Sequence, residues 1–137
     1  MTFIDSEEAV ESFLHDVQGI ITDKKFDLNK QLIFKMNRMQ YSANNSYTNN
    51  GTLATLGYGL GDVANELLSL SVQEYKETFQ DNKPNKINPF YCFIKTIQGK
   101  QVYIKIKIRE ENKRSIFCVS FHFAEKEVPD NLLPYKK

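Results

Sequence analysis

Apolar residues recur at helical spacing near the start of the chain. Val10, Phe13, Leu14, Val17, Ile20 and Ile21 form one stripe, which predicts an amphipathic helix over roughly 6–22. Asp5-Ser6-Glu7-Glu8 precedes the stripe in capping-box form, with Asp5 at the N-cap and Glu8 three residues on. Between 31 and 41 the period shortens: Leu32, Phe34 and Met36 alternate with Lys35 and Asn37, as in a strand. Residues 42–52 are polar and without period, and read as a surface loop. Gly57-Tyr58-Gly59-Leu60-Gly61 lacks the spacing and the lysine of a phosphate-binding loop. It reads instead as a tight lead-in to a helix from about Asp62 that buries Val63, Leu67, Leu68 and Leu70. Ser71-Val72-Gln73-Glu74 is a second capping box and predicts a short helix over 72–79. Pro84 and Pro89 break a basic loop over 83–89.

The last third alternates at period two. Strands are expected over 90–98, 102–109 and 115–123, with Gly99 at positive φ in a tight hairpin turn. The chain beyond, with Pro129 and Pro134, is irregular. Together these elements predict one α+β domain over 1–137. An N-terminal helix and short helices pack on a mostly antiparallel sheet.

Composition narrows this little. The chain has 137 residues, 41% hydrophobic and 26% charged, with a formal net charge of +1, as expected of a globular domain. Two cysteines, Cys92 and Cys118, are too few for a disulfide scaffold. No apolar run approaches the ~20 residues of a membrane span. Residues 1–23 carry no Lys or Arg, unlike a basic leader. The expectation is a cytoplasmic protein with reduced thiols and no membrane partner. Charge is segregated, however. Asp5, Glu7, Glu8, Glu11, Asp16 and Asp23 crowd the first 23 residues. Lys83, Lys86, Lys95, Lys100, Lys105, Lys107 and Arg109 occupy 82–109 with no acid among them.

Strand alternation then places chemistry. In 102–109, Val102, Ile104, Ile106 and Ile108 face one way and Tyr103, Lys105, Lys107 and Arg109 the other. In 115–123, Phe117, Val119, Phe121 and Phe123 form the apolar set, opposite Ile116, Cys118, Ser120 and His122. If both apolar sets face one core, Tyr103, Lys105, Lys107, Ser120 and His122 share the other face. Such a patch, without acids, suits no divalent cation. Cys118 and His122 lie about 13 Å apart along a strand, too far to share a zinc ion. No acid is placed to orient His122 in a Ser-His-Asp arrangement. A phosphodiester fits better: lysines stabilise growing phosphate charge, imidazole moves a proton, and RNA supplies its own 2′-hydroxyl nucleophile. That route needs no metal and no cofactor. A solvated basic sheet face is the plain alternative.

The stretch Gln98-Gly99-Lys100-Gln101-Val102-Tyr103-Ile104-Lys105-Ile106, with Val119-Ser120-Phe121-His122-Phe123-Ala124-Glu125 and the ending Pro134-Tyr135-Lys136, resembles the MqsR family of bacterial toxin–antitoxin toxins. Leu53-Ala54-Thr55-Leu56-Gly57 and Leu70-Ser71-Val72-Gln73-Glu74-Tyr75 are similar to further segments of that family. The similarity spans roughly 44–137. It implies a RelE-like ribonuclease fold and a metal-independent endoribonuclease that cleaves mRNA, opposed by a cognate antitoxin protein. It points to Tyr103 and to His122, which stands where the best-studied branch has a lysine. Lys95 falls where a lysine before the hairpin glycine is expected. That branch's other catalytic lysine falls at Lys76 or Glu77, and its glutamine near Phe90. The tail is longer and more acidic than the family's.

The expected function is cleavage of single-stranded RNA by 2′-hydroxyl attack. His122 is the acid or base, Lys105 and Lys95 stabilise the phosphorane, and Tyr103 positions a base or shares the proton. RNA contacts are expected from Lys107 and Arg109, from Lys83 and Lys86 in the basic loop, and from Tyr47 in the polar loop. Two other classes stay open. One is a non-catalytic mobile-element or phage protein that blocks a nucleic-acid enzyme. The other docks a basic partner through the acidic first helix.

Overall fold

A computed structural model of the chain describes residues 1–36, 45–83, 88–111 and 113–137. Lys86, the far end of the strand expected over 31–41 and the first residues of the polar run lie outside these. The architecture is α+β, as the periodicities predict. Among the described residues six strands form one sheet: β1 (Thr2–Phe3), β2 (Leu32–Phe34), β3 (Tyr75–Phe79), β4 (Phe90–Ile97), β5 (Lys100–Arg109) and β6 (Ser115–Phe123). Their order is β1-β3-β4-β5-β6-β2, with β2 parallel to β6 and every other pairing antiparallel. The helices are α1 (Glu7–Thr22), α2 (Leu28–Gln31), α3 (Asn49–Leu56) and α4 (Leu60–Leu68). Among the described residues, no helix is long and apolar enough to cross a membrane.

The helices share one face of the sheet. Val10, Phe13, Leu14, Val17 and Ile20 of α1 are buried in a single cluster with Val63 and Leu67 of α4 and with Tyr91, Phe93, Val102, Ile104 and Phe121 of the strands. Each such side chain contributes ~1.5–3 kcal/mol of burial. Ser6, not Asp5, caps α1, accepting from Ala9 N–H at 3.1 Å. Asp5 turns inward instead. It accepts from the hydroxyl of Tyr91 at 2.7 Å, and its backbone binds the hydroxyls of Tyr75 and Tyr135. A buried phenol needs a partner, and this need outweighs the capping preference.

Two expected elements take other forms. Ser71 and Glu74 do make the capping box, with Ser71 N–H on Glu74 Oε1 at 3.0 Å. The helix it announces stops after one 3-10 turn, Val72–Glu74. Residues 75–79, expected as helix, form β3, because Tyr75, Thr78 and Phe79 find ladder partners on β4 and β1. The polar run expected as a loop enters helix α3 at Asn49, capped by Thr48, whose hydroxyl accepts from Gly51 N–H at 3.0 Å. Asn49 and Thr52 are buried there. They serve the edge of β6 beyond the end of β2. Asn49 accepts from Phe121 N–H at 3.0 Å and donates to the carbonyls of Val119 and Lys35, while Thr52 Oγ1 accepts from Phe123 N–H at 3.0 Å. The polar side chains of α3 thus meet the β6 edge as a neighbouring strand would.

The hairpin between β4 and β5 turns on Gln98 and Gly99, both at positive φ (51° and 81°), the two-residue geometry that matches strand twist. The register between β5 and β6 shifts between Lys105 and Ile106, which leaves Val119 as a β-bulge. The bulge reverses parity along the first half of β6. Ile116 and Cys118, expected outward, are fully buried, and Phe117 faces outward instead. Beyond β6 the tail is fastened twice. Gln101 and Val128 exchange two hydrogen bonds, and Tyr135 stacks on Tyr75 with ring centroids 5.9 Å apart.

Candidate active site on the outward sheet face

The helix-free face of the sheet is arranged in rungs, because side chains on neighbouring strands stand side by side. One rung is Ile94–Tyr103–His122. Tyr103 and His122 are direct partners, their rings 5.5 Å apart and 27° from parallel. The Nδ1 of His122 lies 3.2 Å from the carbonyl oxygen of Phe123. A carbonyl can only accept, so Nδ1 carries the proton of the neutral ring and Nε2 keeps the lone pair. The Tyr103 hydroxyl donates to Cys92 Sγ at 3.3 Å. Burial, and then Cys92 and Glu77 nearby, push this phenol well above its usual range. Tyr103 is therefore a donor and a ring surface, not a tyrosinate base. Burial raises the Cys92 thiol as well, so that it is no thiolate nucleophile at neutral pH.

The next rung is Glu77–Cys92–Lys105–Ser120. It brings an acid to a face expected to have none. Glu77 is paired to Lys76 at 3.0 Å. Reading residues 72–79 as helix concealed both residues. Alternation would not have found them, because a register shift between Tyr75 and Glu77 turns Tyr75 into the core and Glu77 outward. The third rung pairs Phe79 with Phe90 and Lys107 with Phe117, and the rings of Phe90 and Phe117 meet at 5.8 Å.

Cations thread these rings. Lys105 Nζ lies 4.3 Å from the centroid of Phe79 and 5.3 Å from that of Phe90. Lys107 Nζ lies 4.9 Å over Phe90, and the Arg109 guanidinium 4.1 Å over Phe117. A ring face holds a cation in place without neutralising it. Lys105 and Arg109 rest on rings, whereas Lys76, Lys95 and Arg114 sit in ion pairs.

The fold separates the remaining candidates. Lys95 is not in this site. It pairs with Val102, so it lies on the helix-bearing face. There its Nζ lies 3.6 Å from Glu74, 4.0 Å from Glu66 and 3.4 Å from the Ser69 carbonyl. Its charge is spent tying β4 to the end of α4. Glu66 also accepts from Tyr58, which pushes that phenol up to about 12. Lys83 is exposed four residues after the end of β3 and belongs to no rung, and Lys86 lies outside the described residues. Tyr47, 45% exposed, stands at the rim of a cavity of about 450 Å³ at the hairpin end of the face. No known protein family, curated protein or solved structure matches the chain.

Proposed function

We propose that the outward sheet face binds single-stranded RNA and cleaves it without a metal ion. The observation that carries this reading is the Tyr103–His122 pair, 5.5 Å between rings, on the same face as Lys105, which stands one rung along and leans its ammonium over the rings of Phe79 and Phe90. In this mechanism His122 Nε2 takes the proton of the 2′-hydroxyl, and the 2′-oxygen forms a bond to the adjacent phosphorus. Lys105 stabilises the phosphorane. The bond to the 5′-oxygen breaks and that oxygen leaves with a proton from water, giving a 2′,3′-cyclic phosphate and a 5′-hydroxyl. Tyr103 offers its ring to a base. Arg109 and the Phe79, Phe90 and Phe117 rings carry the neighbouring stretch of strand, since unpaired bases stack on aromatic side chains and phosphates seek cations. Lys107, expected as a contact, is only 7% exposed and supports those rings instead. The MqsR-like motifs support assigning this cleavage to a cytoplasmic toxin that cuts mRNA and is held in check by an antitoxin.

The test is incubation of the purified chain with RNA in EDTA. Fragments ending in 2′,3′-cyclic phosphate are expected, with rates at least 100-fold lower for His122→Ala and Lys105→Ala. Intact RNA, or unchanged cutting by both variants, overturns the reading. RNA bound but never cut leaves the same face as a non-catalytic binder.

A further inference from the structure

The cavity at the hairpin end lies one step along the sheet from the proposed scissile site. Its floor includes Thr96, Gln101 and Ala124. Thr96 pairs with Gln101, two residues before Tyr103, and Ala124 N–H donates to the Gln101 carbonyl at 3.0 Å. This rung therefore sits about 7 Å from the Tyr103–His122 rung, at ~3.3 Å per residue. The cavity's volume of about 450 Å³ is within the range of small-ligand sites.

Both walls are held by hydrogen bonds. On one side the Ser46 carbonyl accepts from Thr52 Oγ1 at 2.6 Å, which fixes the turn carrying Tyr47. On the other, Val128 N–H donates to Gln101 Oε1 at 2.7 Å and the Gln101 amide donates back at 3.0 Å, which fixes the tail beside Glu127. Lys100 stands between them; opposite Ile97 it belongs to the helix-bearing side, its Nζ 5.1 Å over the ring of Phe123, so the cavity wraps the hairpin end where the two faces meet. The lining thus offers two aromatic rings, Tyr47 and Phe123, one acceptor-only carboxylate and one ammonium.

We propose that this cavity receives one nucleobase of the RNA strand, next to the nucleotide at the cleaved bond, and so sets which sequence is cut. The proposal rests on the RNA reading of the adjoining face. Tyr47 stacks on the base, Lys100 meets its phosphate, and Glu127 accepts from an amino group on the base edge. A carboxylate favours a base edge with an exocyclic amino group, because uracil offers it only the ring N3–H. Guanine, adenine and cytosine are therefore admitted over uracil.

Two measurements on the full chain test this and separate it from the cleavage reading. The first titrates the protein with GMP, AMP, CMP and UMP and follows backbone and tyrosine resonances. Shifts at Tyr47, Lys100 and Glu127 are expected, weakest for UMP. Binding should weaken about 10-fold in Tyr47→Ala, the scale of one lost base–aromatic stack. The second maps cut sites on RNA of mixed sequence. The bias against uracil at the position beside the cut is expected to vanish in Glu127→Ala, which removes the acceptor, with thermal unfolding unchanged. Shifts that map elsewhere, or a bias untouched by both substitutions, overturn the cavity's role. Nucleotide binding here without any RNA cleavage sinks the nuclease reading and leaves the base site standing.

Discussion

Replacing Asn49 with alanine removes three hydrogen bonds from a residue only 3% exposed. The lost contacts are Nδ2 to the Lys35 carbonyl at 2.8 Å, Nδ2 to the Val119 carbonyl at 3.1 Å, and Oδ1 from Phe121 N–H at 3.0 Å. Each buried hydrogen bond is worth about 1 kcal/mol net, and the orphaned N–H of Phe121 adds about 1–3 kcal/mol of unrecovered desolvation. The expected loss is roughly 4–6 kcal/mol, a large share of the ~5–15 kcal/mol that holds a domain folded. Urea unfolding followed by far-UV circular dichroism measures it. Asn29→Ala, on the exposed surface of α2, is the control and should stay within about 0.5 kcal/mol. Asn49 also pins both sides of the Val119 bulge, the irregularity that brings Ser120 and His122 opposite Lys105 and Tyr103. Where Asn49→Ala is still folded, RNA cleavage should fall further than the folded fraction does. A loss below about 1 kcal/mol would show that water satisfies the β6 edge, and that α3 is not the stand-in for a strand.

Thr52→Val takes the acceptor from Phe123 N–H and should cost about 1–3 kcal/mol, whereas Thr52→Ser should restore most of it; the same urea titration decides. Alkaline pH should destabilise the fold. Tyr58, Tyr75, Tyr91 and Tyr103 all have phenols raised above the usual value of about 10, chiefly by burial and, for Tyr58, by Glu66. Above about pH 10 the unfolded chain loses these protons while the folded chain keeps them, so stability present below that pH drains away as pH rises. Melting temperature against pH, paired with tyrosinate absorbance, checks this; a flat melting temperature to pH 12 refutes it. Cys92 and Cys118 are buried with raised thiols and should resist thiol reagents until the protein unfolds. Fast labelling of the native state would contradict their burial. Lys95→Met should lower stability more than it lowers RNA cleavage, because its contacts are Glu66, Glu74 and Ser69 on the far face. A cleavage loss matching that of Lys105→Ala at equal stability would return Lys95 to the site.

Much of the fold was legible because period and punctuation agreed. The stripe from Val10 to Ile20, Gly99 at the hairpin and the alternation of β5 all specify their elements locally. What escaped was set by tertiary partners. Residues 75–79 carry a capping signal in front of them and strand partners beside them, and the partners win. Asn49 and Thr52 look like loop residues until the unpaired edge of β6 is beside them. In β6 the run Ile116-Phe117-Cys118-Val119 is apolar on both parities, so alternation there carries no directional information and the bulge leaves no local trace.

Lys95 is different, because its displacement could have been deduced. A two-residue turn at Gln98 and Gly99 sets Ile97 against Lys100, Thr96 against Gln101 and therefore Lys95 against Val102. Val102 belongs to the core set, so a residue opposite it belongs to the core face. The basic charge of residues 82–109 was thus read as one patch where the hairpin register divides it between two faces. Lys105, Lys107 and Arg109 stand on the outward face, and Lys95 lies among carboxylates on the inner one. Charge clustered in sequence becomes a field at a site only when strand parity points it the same way. Here parity leaves the outward face with cations held over rings and with the imidazole of His122 on the same side of the sheet, the arrangement on which the proposed cleavage rests.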